Sequence, residues 1–262
     1  MDVLHFFNAL YAISGFAIGL IVGMTGMGGG SLMTPLLILL FGVVPVTAVG
    51  TDLLFAAATK TGGTLVHGLH RTIDWRVVGR LALGSVPSTG LTLFVLSRFE
   101  SGGAASANLI TFTLGGALLV SALALIFRKW IWALYAPRMV AMAPSRIAKL
   151  TVAIGAVLGI VVSISSVGAG AIGVTALVLL YPKLPMARIV GSDIAHAVPL
   201  TLLAGIGHWM LGSIDWTLFM GLLIGSLPGI ALGSYVSARI PDWVLRYLLA
   251  AVLVVIGCRL LV

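Results

Sequence analysis

Hydrophobic residues along this 262-residue chain fall in long unbroken runs rather than in alternation, and the runs form two sets of five. In the first half they cover roughly 4–24, 30–42, 48–66, 76–97 and 105–127; in the second, 150–166, 170–181, 189–210, 217–236 and 243–261. Continuous runs of this length predict helices, since the strands of a barrel would need alternation. A helix needs about 20 apolar residues to span a bilayer, a length that the third, fourth and fifth runs of each half approach. The second run is too short in both halves. A glycine-rich break joins it to the first: Gly23-Met-Thr-Gly-Met-Gly-Gly-Gly30 in one half, Ser163-Ile-Ser-Ser-Val-Gly-Ala-Gly170 in the other. Each such pair predicts a broken helix or a re-entrant hairpin. Irregular backbone survives at membrane depth only where it is buried in protein or lines a cavity.

The two sets are copies. Gly50-Thr51-Asp52 returns as Gly191-Ser192-Asp193, His67 as His208, Ile73-Asp74-Trp75 as Ile214-Asp215-Trp216, and Gly84-Ser85-Val86-Pro87 as Gly225-Ser226-Leu227-Pro228. The offset is 141, as from Asp52 to Asp193, but 140 from Gly28 to Gly168, so one residue was inserted between Pro185 and Gly191. Asp and His are costly in a membrane, and hydrophobicity alone does not make them recur in order. A duplicated apolar unit is the signature of a transporter or channel core.

Composition fixes the solvent. Hydrophobic residues make up 60% of the chain and charged residues 8%, against about 25% charged in a soluble domain. With mean hydropathy +1.18, the chain predicts an all-α polytopic membrane protein whose main partner is the lipid bilayer. The formal charge of +8 does not point to nucleic acid, because the basic residues sit in short loops, where positive-inside topology explains them. One cysteine, Cys258, excludes an intramolecular disulfide and a cysteine metal site. The first eight residues carry no Lys or Arg and do not resemble a cleaved signal peptide.

Charge also orients the copies. Three segments follow: 1–127 as a first transmembrane repeat, 128–149 as a basic cytoplasmic connector, and 150–262 as a second repeat. The connector holds Arg128, Lys129, Arg138, Arg146 and Lys149 and no acid. Counting from it puts loop 67–76 inside, loop 98–104 outside, Lys183 and Arg188 inside, and loop 209–216 outside. Arg71, Arg76 and Arg80 of the first His–Asp–Trp segment become Gly212, Thr217 and Gly221 in the second. The same unit is basic in one copy and stripped of basic charge in the other. Two inverted-topology repeats are therefore expected, each a Gly-broken helix or hairpin followed by three spanning helices.

Several residues carry candidate chemistry. The triplets Gly50-Thr51-Asp52 and Gly191-Ser192-Asp193 read as helix N-caps, and also as places where Thr51 and Ser192 face a substrate while Asp52 and Asp193 scaffold or couple protons. Lys60 lies mid-helix among small residues. A charge at mid-depth costs roughly 3 kcal/mol on insertion scales and is normally functional or paired. Its counterpart is Thr201, so it is either an ion-pair partner of Asp52 or Asp193 or the counter-charge for an anion. His67 and His208 stand at helix ends as loop anchors, and the deeper His196 is a candidate proton acceptor. The breaks, with Gly28, Gly29, Gly30 and Ser31 in one copy and Gly168, Ala169 and Gly170 in the other, either let helices pack closely or offer free amides to an anion. Asp74-Trp75 and Asp215-Trp216 read as a cap followed by an interface anchor.

No enzyme is expected. The Gly-x-Gly-Asp of intramembrane aspartyl proteases and the Gly-x-Ser-Gly of rhomboid-type proteases are absent, and so is a P-loop. Neither a metal nor a cofactor is implied.

Gly-Met-Gly-Gly-Gly-Ser at 26–31 with Pro35, Val-Gly-Thr-Asp-Leu-Leu-Phe-Ala-Ala at 49–57, Thr59-Lys60-Thr61 with His67, Ile73-Asp74-Trp75-Arg76, and Val-Gly-Ser-Asp-Ile-Ala-His at 190–196 resemble the sulfite exporter TauE/SafE family. The resemblance covers essentially the whole chain. It implies a secondary transporter of small sulfur-containing anions, such as sulfite or organosulfonates, acting mostly outward across the bacterial cytoplasmic membrane by alternating access. A passive anion channel is the alternative, and a homodimer stays open. One departure from the family pattern is the second glycine run, Val-Gly-Ala-Gly.

Overall fold

A computed structural model describes residues 9–25, 30–98, 104–237 and 242–261. Ten helices carry these residues: α1 (Ala9–Thr25), α2 (Gly30–Phe41), α3 (Pro45–Leu69), α4 (Trp75–Leu96), α5 (Ala104–Val140), α6 (Pro144–Ser165), α7 (Ala171–Leu180), α8 (Met186–Met210), α9 (Trp216–Ser237) and α10 (Asp242–Leu261). No strand occurs among them. The ten runs read from hydrophobicity are these ten helices, with shifted ends. Helices α3 and α8 start earlier than expected because Pro45 and Pro185 open them, proline being tolerated where an amide has no helical partner.

Those earlier starts correct the capping expectation. Asp52 and Asp193 stand in the third turn of α3 and α8, inside the helix, and the residues at the caps are Val44 and Pro185. Segment 128–149 is also mostly helical. Helix α5 continues to Val140, and α6 starts at Pro144 behind Ala143. At about 1.5 Å per residue, the 37 residues of α5 outrun a bilayer.

Five helical stretches are long and apolar enough to cross a membrane: Trp75–Leu96, Asn108–Tyr135, Pro144–Ser165, Met186–Met210 and Trp216–Gly233. The 25-residue α3 is not among them, since Thr, Gly and Lys60 dilute its apolar content. It is nonetheless central, packing on α8 and touching α2, α5, α6 and α9. The exposed surface of the bundle is apolar, with Leu69, Met210, Leu40 and Phe112 pointing outward. Thr51, Asp52, Lys60, Asp193 and His196 are buried. This polar interior inside an apolar exterior is the arrangement a bilayer demands.

Contacts recur with the copies exchanged. Helix α1 packs on α9, and its counterpart α6 packs on α4; α3 packs on α8 and α5 on α10. A Cβ at Gly15 would fall 2.4 Å from Leu222 O, and one at the matching Gly155 would fall 2.1 Å from the matching Leu81 O. Gly84 meets Val152 O and Gly225 meets Ala12 O, each at 1.9 Å. Small residues let these backbones touch, the usual basis of helix association in lipid.

Candidate functional site

The break between α6 and α7 is built from backbone of positive φ. Ser166 adopts the left-handed conformation (φ 59°), and Gly168 and Gly170 have φ of 120° and 131°. Ser165 through Ala171 are all buried, so the irregular stretch lies inside protein. Helix α7 starts without a side-chain cap. Gly173 N and Val174 N bond back to Gly168 O and Gly170 O, leaving the amides of Ala171 and Ile172 as its free first-turn donors.

Lys60 reaches this break from the other copy. Its ammonium donates to Ala169 O at 3.1 Å, with the side chain only 5% exposed. Asp193 and Asp52 are the two carboxylates acting on it. Asp193 lies against the first turn of α7, so close that a Cβ at Gly173 would fall 2.0 Å from its Oδ1, and that oxygen has no hydrogen-bond partner. Lys60, Asp193 and the residues 168–170 therefore form one buried cluster where α3, α7 and α8 meet.

Asp52 holds the corresponding place in the first copy, with different bonds. Its Oδ2 accepts from the backbone amide and the hydroxyl of Thr34 in α2. The Ser166 hydroxyl faces the same carboxylate across the copies. Asp52 Oδ1 and Ser166 Oγ each lack a partner. Gly28 and Gly29 lie outside the described residues. Gly30 and Ser31 open α2, and their side-chain surroundings are likewise not described.

The family model for the sulfite exporter TauE/SafE matches residues 11–260. The chain belongs to the sulfite exporter TauE/SafE family. A probable membrane transporter protein, YjnA, of Bacillus subtilis is 36% identical over 250 residues, covering 95% of this chain and 98% of the relative. A second from the same organism, YdhB, is 27% identical over 235 residues, covering 88% and 91%. No solved structure matches. The chain is thus a multi-pass membrane transporter, and its buried polar groups are read as parts of a TauE/SafE transporter.

Thr51 and Ser192 are engaged in that transporter's frame. Ser192 Oγ accepts from Asp74 N at 2.8 Å, and Thr51 Oγ1 accepts from Asp215 N at 3.2 Å. Each hydroxyl latches the loop that opens a helix of the other copy. The caps expected at those loops are present: Asp74 accepts from Arg76 N and Val77 N, and Asp215 from Leu218 N. Trp75 and Trp216 are exposed beside them.

The histidines separate by depth. His67 Nδ1 bonds Thr72 Oγ1 at 2.7 Å and ties down its loop. His208 is buried, and its Nε2 sits 2.9 Å from Ser163 O. His196, one turn beyond Asp193, bonds Ser85 Oγ through Nε2 at 2.9 Å. Thr34, Ser166 and Ser85 were not singled out by the sequence. Ser85 had a signal in the repeated Gly-Ser-x-Pro, and Ser166 had one in the second break. Among the described residues no group of three or more His, Cys, Asp or Glu is placed to hold a metal ion.

Proposed function

We propose that this protein is a secondary transporter that exports small sulfur-containing anions, such as sulfite or organosulfonates, across the bacterial cytoplasmic membrane by alternating access. The observation that carries this reading is the bond from Lys60 Nζ to Ala169 O. It puts a buried cation from one copy beside the uncapped first turn of a short helix in the other. A compact anion at that point would meet the ammonium and the α7 amides together, and would complement the helix dipole. Sulfite and sulfonate oxygens suit such donors, and the resemblance to sulfite exporters favours them over other anions.

The exchanged contacts support two inverted repeats related by a pseudo-two-fold axis in the membrane plane, because a rocking motion then interconverts two equivalent packings. Burial of Lys60, Ala169 and Asp193 favours a carrier over an open channel, since the cluster is closed from all sides. Counterflow in proteoliposomes tests the reading. Labelled sulfite is expected to accumulate transiently against unlabelled sulfite in the wild type and not in Lys60→Ala. Flux without counterflow would make the protein a channel, and intact counterflow in Lys60→Ala would place the site elsewhere.

A further inference from the structure

The far ends of the two short helices, α7 and α2, are closed in different ways. On α4, Arg80 is half-buried, and its Nη1 donates at 3.1 Å to the hydroxyl of Tyr181, which ends α7. Thr151, buried on α6, completes the group, with its Oγ1 2.8 Å from Tyr181 Oη. Thr151 gives its own hydrogen to Ile147 O at 2.7 Å, so Tyr181 donates to Thr151 and offers Arg80 a lone pair. The partner of the guanidinium is thus a neutral oxygen. Among the described residues no carboxylate pairs with Arg80.

Exposed basic side chains flank each member of this triad along the chain. Arg76 stands one turn before Arg80, Lys149 two residues before Thr151, and Lys183 two residues after Tyr181. Asp74 is the one acid on these segments, and its Oδ1 is engaged by Arg76 N and Val77 N. A mouth of one sign draws anions and raises their local concentration.

The same junction in the other copy is aromatic. Gly221, Phe41 and Tyr11 stand at the positions of Arg80, Tyr181 and Thr151. The rings of Tyr11 and Phe41 meet edge to face with centroids 5.3 Å apart, and a Cβ at Gly221 would fall 2.9 Å from Tyr11 Cβ. Thr217, Ala9 and Val43 replace Arg76, Lys149 and Lys183. Packing alone therefore does not require an arginine at such a junction.

The triad also lies in line with the cluster at Lys60. The ten residues of α7 cover about 15 Å between Tyr181 and the break that Lys60 reaches. Along that length Val77, Leu81, Leu177, Val178 and Ile189 form an apolar cluster, and Tyr181 packs against it.

We propose that Arg80 is a first binding site for the transported anion at the basic mouth, taking a compact oxyanion such as sulfite or a sulfonate. This rests on the transporter reading above. Two oxygens of the anion accept parallel bonds from the guanidinium fork, a charge-assisted pairing stronger than the bond to a neutral phenol. The anion displaces Tyr181 from Nη1 and loosens the tie between α4 and α7 on the way to Lys60. The aromatic mouth offers no such cation, so the anion is gathered at one end and released at the other.

Inside-out and right-side-out membrane vesicles present the two mouths separately, the basic one being cytoplasmic by its charge. Exchange of labelled sulfite or sulfoacetate gives a KM for each. Arg80→Gln is expected to raise KM about tenfold at the basic mouth, as loss of a charge-assisted bond does, with kcat nearly kept and KM at the aromatic mouth unchanged. Arg80→Lys, which keeps the charge without the fork, should fall between, and serves where Arg80→Gln does not fold. Tyr181→Phe breaks the triad but leaves the guanidinium, and should raise KM at neither mouth. An unchanged KM in Arg80→Gln, an equal rise at both mouths, or a Tyr181→Phe effect that matches it would overturn the mouth site and leave the transporter reading standing. A wild type that exchanges no sulfur anion would overturn the transporter reading, and the mouth site with it.

Discussion

Two helix crossings in this protein are built on the same plan and finished differently. Where α1 meets α9, Gly15, Gly19, Gly225, Gly229 and Gly233 all touch the backbone of the facing helix. Where α4 meets α6, Gly84, Gly155 and Gly159 do the same, but Ser88 and Thr92 replace the last two glycines and Ser163 joins them. The glycine pattern secures close approach in both copies. Ser85 and Ser226 are common to both, but the hydroxyls of Ser88, Thr89, Thr92 and Ser163 occur only in the crossing beside His196. At these crossings the copies thus share the glycines that hold backbones together and differ in the hydroxyls set beside them.

Lys60 and Thr201 are the sharpest instance of that difference. Thr201 Oγ1 is spent on Ala197 O at 2.8 Å within its own helix, whereas Lys60 crosses to the other copy. Removing Lys60 is expected to have the largest effect of all: Lys60→Ala should lower anion flux by about a hundredfold or more, as loss of a buried electrostatic contact does. Thr201→Val should leave flux nearly unchanged. The exchange variant Lys60→Thr with Thr201→Lys should not recover transport in counterflow. Recovery would mean that the site is symmetric.

The shared glycines should instead be equivalent. Gly84→Ala and Gly225→Ala each put a methyl 1.9 Å from a backbone oxygen, and each should cost about 3 kcal/mol, the upper range for overpacking. Thermal unfolding in detergent checks this. A large inequality would show that one crossing yields where the other cannot, and would locate the moving seam.

The latches come next. Ser192→Ala leaves Asp74 N without its 2.8 Å partner, and Thr51→Val leaves Asp215 N without its 3.2 Å partner. An unsatisfied amide costs about 1–3 kcal/mol, with the shorter Ser192 bond at the upper end. Thermal unfolding should rank Ser192→Ala below Thr51→Val in stability. The reverse order would show that these loop ties are not what the two hydroxyls contribute.

Much of this was legible in the sequence, for reasons that can be traced. Helices showed because lipid forces continuous apolar runs, and the copies showed because Asp, His, Gly and Pro rarely recur in order by chance. Lys60 stood out because a mid-helix charge is costly. Asp52 and Asp193 were misread as caps because Pro45 and Pro185 start their helices earlier, and a polar triplet next to an apolar run looks the same whether it opens a helix or lies within it. The partners Ser166 and Ser85 were hidden because their pairings join segments far apart in the chain, and Thr34 because its pairing crosses between two helices. Serine and threonine in a membrane helix also mostly bond their own preceding turn, as Thr59 and Thr61 do here.

The smallest predicted effect concerns the loops that the latches hold. Arg71 and Gly212 occupy matching positions and both adopt positive φ, 53° and 72°. The surrounding bonds match as well: Thr72 N donates to His67 O, and Ser213 N to His208 O, both at 2.9 Å. Glycine meets this conformation without strain, while a residue with a Cβ pays about 1 kcal/mol for it. Arginine at 71 is therefore carried against local preference, as expected if its charge is needed to hold that loop on the cytoplasmic side. Arg71→Gly should raise stability in detergent by about 0.5–1 kcal/mol, and Gly212→Arg should lower it by a similar amount. In cells the order should reverse, because Arg71→Gly weakens the charge bias that orients the first copy. Cysteine-accessibility labelling of the two loops reads that orientation directly. Equal labelling of wild type and Arg71→Gly would show that the remaining Arg76 and Arg80 suffice, and the strain at Arg71 would then need another cause.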